Sequence, residues 1–153
     1  MIEVEIPGRG AYILRHAVFD VNGTLATDGQ LIEGVDTLLA EVRRHVDVHL
    51  LTADTHGLQK TLDAQLGLSA HIISGGAEKA AFVRSLGAAH VIAVGNGAND
   101  ALMFREAALA VAVLGEEGLS VEALLTADVV VRHIHDALRL MLAPKRLVAT
   151  LRR

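Results

Sequence analysis

The chain has 153 residues, a length at which one hydrophobic core is expected and a second domain finds no room. Hydrophobic residues make up 52% of it and aromatic residues only 3%, so the core is expected to be aliphatic, as suits a helix-covered parallel sheet. A formal net charge of -4 argues against general nucleic-acid binding, the lack of cysteine excludes disulfides and thiolate metal sites, and no apolar run approaches the ~20 residues of a membrane helix.

In chain order, residues 2–6 and 12–15 alternate around Pro7-Gly8-Arg9-Gly10, which predicts an amino-terminal β-hairpin, an appendage (1–15) to the main sheet. No basic segment followed by an apolar one opens the chain, so a cytoplasmic location is expected. From His16 onward, short β-branched runs predict strands over 17–19, 46–51, 71–73, 91–94, 109–113 and 129–131. Between them, amphipathic stretches predict helices over 35–44, 58–66, 78–86, 100–107, 121–125 and 134–142. Strand then helix, repeated this often, implies an α/β fold with a doubly wound, Rossmann-like parallel sheet in a single domain, 1–153. The basic cluster Lys145, Arg146, Arg152 and Arg153 reads as a solvated helix end.

In such a sheet, ligands bind at the carboxyl ends of the strands. Asp20 follows the first strand, Thr52 the second, and the polar loop Gly95-Asn96-Gly97-Ala98-Asn99-Asp100 the fourth, while Lys79 opens the helix after the third. Three strands therefore deliver polar loops to one edge. The strand end Asp20-Val21-Asn22-Gly23-Thr24-Leu25 resembles motif I of the haloacid dehalogenase-like hydrolases. Leu50-Leu51-Thr52 resembles their motif II, Lys79 motif III, and Val94-Gly95-Asn96-Gly97-Ala98-Asn99-Asp100-Ala101-Leu102 motif IV. The Gly-Asn-Gly-x-Asn-Asp loop is also similar to the phosphorylation domain of P-type ATPases, and the chain to the small soluble proteins named after that likeness.

The resemblance implies a magnesium-dependent phosphatase in which Asp20 attacks phosphorus to give an acyl phosphate, splitting one hard displacement into two easier ones. Its carboxylate and the substrate phosphate carry like charge, so a hard cation, Mg2+ by default, is needed to hold them together. The implied metal ligands are Asp20, the backbone carbonyl of Asn22, Asn96 and Asp100. Phosphate contacts are expected from Thr52, Lys79 and backbone N–H groups at Gly23, Thr24 and Ala53. Two departures stand out. Asn22 occupies the position of the general acid/base, and an amide cannot shuttle a proton, so slow turnover or a persistent phosphoenzyme is expected. Asn96 replaces the first acid of motif IV, which leaves Asp100 as the remaining carboxylate and weakens the expected magnesium affinity.

Both intervals that carry cap domains in this superfamily are short here, so the site is expected to be capless. The stretch 27–31 resembles the flap of capless sugar-acid phosphatases, which form tetramers, and a homo-oligomer acting on a phosphorylated substrate is therefore expected. Ion pumping is excluded, because the nucleotide-binding insertion and membrane helices of the P-type ATPases are missing. Blander readings stand beside these. Asp20 could cap a helix after its strand, Thr52 could satisfy backbone in a turn, Lys60 could compete with Lys79, and Asn99 could brace its loop. Asp54 and His56, just beyond motif II, could line the entrance or, the favoured reading, cap the next helix, and the eight histidines show no metal-ligand spacing. The alternative function is a catalytically impaired phosphate or metal sensor, or an assembly subunit, of the same fold. A receiver domain fits less well, since receivers gather two acids near the amino terminus.

Overall fold

The computed structural model describes residues 1–53, 59–73 and 75–153. Its strands are β1 Ile2–Ile6, β2 Gly10–Leu14, β3 His16–Asp20, β4 Ala26–Thr27, β5 Gln30–Leu31, β6 Asp47–Thr52, β7 His71–Ile72, β8 Val91–Gly95, β9 Leu109–Val113 and β10 Val129–Val131. The helices are α1 Val35–Val42, α2 Gln59–Leu66, α3 Gly76–Ser85, α4 Ala101–Glu106, α5 Val121–Thr126, α6 Ile134–Leu142 and α7 Lys145–Leu151. The doubly wound α/β expectation holds: six strands form one parallel sheet in the order β10-β9-β8-β3-β6-β7.

The strands of this sheet's centre are apolar throughout because both faces are covered. Every residue of β8 and β9 is buried, and successive side chains leave on opposite sides. Phe19, Ile92, Val94, Val111 and Val113 point into one core with Leu39 of α1, Leu138 of α6 and Leu147 of α7. Val18, Val91, Ala93, Ala110 and Ala112 point into the other, against Val83 of α3, Met103 and Phe104 of α4 and Ala123 of α5. Each large aliphatic side chain buried in this way contributes about 1.5–3 kcal/mol before chain entropy is counted.

The amino-terminal hairpin is not an appendage. β1 and β2 pair antiparallel as a separate two-stranded sheet, but Ile2, Val4 and Ile6, alternating inward, join Leu14 in the first core beneath α7. Arg9 bonds Asp128 at 2.6 Å, and the Arg153 N–H donates to the Pro7 carbonyl at 3.0 Å. The reason lies in α7: its Leu147 and Leu151 need a covering surface, and the hairpin supplies one. The basic residues Lys145 and Arg146 remain on the outer side of that helix. Three histidines that spacing leaves unrelated also meet across β3, β6 and β7. His16 Nδ1 lies 3.2 Å from His49 Nε2, and both His49 and His71 pack on Phe82. Burial and the neighbouring rings of His16 and His71 lower the pKa of His49.

The order of the sheet places the site. From β3 the chain runs outward through β6 and β7, then returns to the other side of β3 for β8, β9 and β10. The reversal between β3 and β8 splays the loops that leave their carboxyl ends and opens a crevice there. No helix among the described residues is long and apolar enough to cross a membrane.

Candidate active site

Asp20 closes β3 opposite Leu51 of β6 and is only 7% exposed. The chain then turns sharply, with the Val21 carbonyl accepting N–H bonds from Thr24, Leu25 and Ala26 at 2.9–3.1 Å. Gly23 makes this turn possible. Its φ is +81°, and a Cβ there would meet Asn96 Nδ2 at 2.5 Å, so conformation and space both demand glycine. The turn also occupies amides: the Gly23 N–H donates to the Ala26 carbonyl at 2.7 Å and the Thr24 N–H to Val21 at 3.1 Å. The expected phosphate cradle at Gly23 and Thr24 is corrected accordingly, because both donors are satisfied inside the turn.

Thr24 contributes its side chain instead. Its buried hydroxyl lies 3.4 Å from Asp20 Oδ2 and 3.2 Å from Asn96 Oδ1, tying motif I to motif IV. Asn22 turns its amide to Thr52, donating from Nδ2 to Oγ1 at 3.1 Å. Motif II is thereby bracketed to motif I.

Lys79, in the first turn of α3, is fully buried, and its ammonium spans two carboxylates, Asp20 Oδ1 at 2.7 Å and Asp100 Oδ1 at 2.8 Å. The helix can come this close because Gly76 abuts the Asn99 carbonyl, where a Cβ would sit at 3.0 Å. Lys60, the rival for this role, is exposed on α2. Asp54 and His56 lie outside the described residues. His135 bonds the Glu33 carbonyl at 2.6 Å, away from Asp20.

Asp100 is fully buried, and its oxygens are committed to protein donors. Oδ2 accepts from the Asn96 and Gly97 N–H groups, both at 2.9 Å, and Oδ1 from Lys79. Asp100, expected as a metal ligand, is not among the residues that line the cavity at the strand ends, and in the structure it braces Lys79 and the motif IV loop. Gly95 leaves the space for this carboxylate, since a Cβ would run into it. Asn96 uses both ends of its amide, Oδ1 toward Thr24 and Nδ2 donating to the Gly118 carbonyl at 3.1 Å.

These contacts set the electrostatics. Burial first, then the nearby Asp100 charge, raise Asp20 to a pKa of about 7, against the opposing pull of Lys79 and the Thr24 hydroxyl. Burial works against the charge on Lys79, but Asp20 and Asp100 outweigh it and its pKa is raised. Lys79 therefore stays an ammonium while Asp20 is held near its titration point.

A cavity of about 200 Å3 opens over Asp20, lined also by Asn22, Ala53, Asn96, Asn99 and Glu117. Its donors are oxygens and amides. Among the described residues no group of three His, Cys, Asp or Glu is arranged to hold a metal ion. Carboxylates with neutral oxygens are a donor set for a hard cation and unsuited to a soft one. Glu117 is the residue here that motif reasoning missed. Its signal was the acidic pair Glu116-Glu117 between two glycines, Gly115 and Gly118, in the loop that leaves β9 at the same sheet edge.

No protein-family model matches the chain. It is 47% identical over 62 residues to the uncharacterized protein MJ0073 of Methanocaldococcus jannaschii, a match covering 40% of this chain and 67% of that protein. The uncharacterized protein MJ0072 of the same organism is 42% identical over 41 residues, 27% of this chain and 93% of its own length. Among solved structures, the cobalt-bound deoxy-D-mannose-octulosonate 8-phosphate phosphatase of Haemophilus influenzae superposes with a TM-score of 0.71 at 16% identity, covering 89% of this chain and 91% of that one. A 3-deoxy-D-manno-octulosonate 8-phosphate phosphatase from Moraxella catarrhalis gives 0.65 at 18% identity, with 89% and 90% covered. A phosphoserine phosphatase gives 0.64 at 15%, with 82% and 98% covered. The chain belongs with the two archaeal proteins in sequence, and its fold is the one these solved phosphatases share.

Proposed function

We propose that the protein is a slow, Mg2+-dependent phosphatase that works through a phosphoryl group on Asp20. The observation that carries this reading is the buried Lys79 ammonium bonded both to Asp20, which lines an open cavity, and to Asp100 behind it. In a site with no chemical task, an ion triad taken out of water is costly to keep. The Moraxella catarrhalis neighbour, whose structure holds a magnesium ion, a phosphate ion and KDO, supports the same chemistry.

In this reading an Asp20 carboxylate oxygen forms the bond to phosphorus while the bond from phosphorus to the ester oxygen breaks. The leaving alkoxide takes its proton from water. Lys79 offsets charge on Asp20 and on the transferring group, and Asp100 fixes where that ammonium points. The Thr52 side chain and the Ala53 backbone flank the phosphoryl oxygens. Water then attacks the phosphorus of the acyl phosphate, releasing inorganic phosphate and restoring the carboxylate. Asp20, the Asn22 carbonyl and Asn96 Oδ1 would hold Mg2+, which when bound screens the nucleophile from the substrate phosphate. Asn22 can neither give nor take a proton, so both steps lack general acid–base help, worth about 10²–10⁴ in rate.

Trapping tests this directly. Acid-quenching the protein during turnover of p-nitrophenyl phosphate with Mg2+ should leave a phosphoryl group on the peptide that contains Asp20, seen by mass spectrometry. A product burst that depends on Asp20, followed by slow release, is expected. Phosphate release with no such adduct and no burst would contradict the covalent route. Asn22→Asp is expected to raise the steady-state rate more than about tenfold, short of the full gain available to a general acid. Thr52 sets that ceiling: it now accepts from Asn22, and a carboxylate there would draw its hydroxyl away from phosphate. The same assay decides the outcome, and an unchanged rate in Asn22→Asp would show that proton transfer does not limit turnover.

A further inference from the structure

The matched motifs bring one carboxylate, that of Asp20, to the cavity where a divalent cation would sit. Asp20 and Asp100 carry two negative charges and Lys79 one positive, which leaves a net charge of -1. Asp100, moreover, lies outside the cavity lining and already accepts from Lys79 and two backbone N–H groups. Oxygen-ligand cation sites gain affinity with each carboxylate they contain, so a second acid at the cavity would tighten the site.

Glu117 stands in the same cavity as Asp20, Asn22 and Asn96. Its position is fixed, although it is carried on a loop. The loop is docked on Asn96 twice: Asn96 Nδ2 donates to the Gly118 carbonyl at 3.1 Å, and the Ser120 N–H donates to the Asn96 carbonyl at 2.8 Å. Gly118, with φ +88°, closes the turn through its N–H bond to the Gly115 carbonyl at 3.0 Å. One carboxylate oxygen of Glu117, Oε2, accepts the Asp28 N–H at 3.2 Å from the turn between β4 and β5. A carboxylate has lone pairs beyond that single bond.

The departure at Asn96 then has a physical account. An aspartate at this position could not donate to Gly118 and would set a negative oxygen against that carbonyl. The amide gives up its charge as a ligand and in exchange positions the loop that brings another acid. We propose that Glu117 supplies the second carboxylate to the divalent cation, across the cavity from Asp20 and in place of the charge that Asn96 lacks. This rests on the phosphatase reading above, since it concerns the cation of that same site. With Glu117 the net charge becomes -2, which balances a dication.

The test is Mg2+ and Mn2+ binding by isothermal titration calorimetry on the full chain, run beside phosphate release. Glu117→Gln keeps an oxygen to accept the Asp28 N–H, so it removes charge without unfastening the loop, and the exposed position should not disturb folding. Its affinity for Mg2+ is expected to fall at least about tenfold, with turnover restored by raising Mg2+ in proportion. Glu117→Asp should recover part of the affinity. If Glu117→Gln binds Mg2+ as tightly as the wild type while Asp20→Asn does not bind it, Glu117 is not a ligand, and the Asp20 site stands without it. If the wild type neither binds Mg2+ nor releases phosphate, the phosphatase reading fails and this proposal falls with it.

Discussion

Asp20→Asn is expected to abolish phosphate release and at the same time to stabilise the cation-free protein at pH 8. The loss of activity follows from removing the attacking oxygen. The gain in stability follows from where the native carboxylate titrates. Burial and the Asp100 charge hold its folded pKa at about 7, above the unfolded model value of 3.8. Between those two values the native state binds more protons than the unfolded state, so stability falls as pH rises through that window, and the whole deficit is present above the folded pKa. An amide carries no charge to desolvate, and the variant escapes the deficit. A gain on the order of 1 kcal/mol is a restrained figure for a shift of this direction in a group so little exposed. Thermal denaturation in a chelator at pH 5 and pH 8 reads the effect. The Asp20→Asn variant should melt higher than the wild type at pH 8, and by a smaller margin at pH 5. A variant melting lower at pH 8 would mean that the bond to Lys79 outweighs burial, and the electrostatic account of the nucleophile would be wrong.

Lys79→Met is expected to have the largest effect on stability. Methionine fills a similar volume but leaves Asp20 and Asp100 buried at one site with no cation between them. Breaking a buried ion group by removing one partner costs about 3–5 kcal/mol. In a chain of this size that lowers the melting temperature by roughly 10 °C. The loss depends on pH. The two acids repel only while ionised, so acidification relieves the variant and the gap to the wild type should narrow from pH 8 to pH 5. Phosphate release should disappear under all conditions, because no other described cation contacts Asp20. Melting curves at the two pH values, with and without Mg2+, test this. A gap that stays constant with pH would assign the loss to packing, and Lys79 would then not be the charge partner of the two acids.

The sequence by itself determined the layering and the edge at which chemistry occurs. Apolar runs such as 91–94 and 109–113 are short and continuous because strands covered on both faces must be apolar at every position, and that periodicity is local. Asp20, Thr52, Lys79 and the loop 95–100 were legible for the same reason, since each directly follows or opens such an element. What tertiary structure decided lies between residues far apart in the chain. Asp100 reads as a metal ligand by position, but space brings it Lys79 and the loop amides, and its oxygens accept from them. The turn after Asp20 reads as a phosphate cradle, but closing it consumes the amides of Gly23 and Thr24. The amino-terminal hairpin alternates like a free ribbon, yet its apolar side meets α7 from the other end of the chain. Glu117 lies far beyond Asp20 in the chain, and no local pattern records that the two share a cavity. Secondary structure is set by neighbours along the chain and can be read from spacing. The destination of each hydrogen bond and each charge is set by which loops the sheet order gathers at the reversal between β3 and β8.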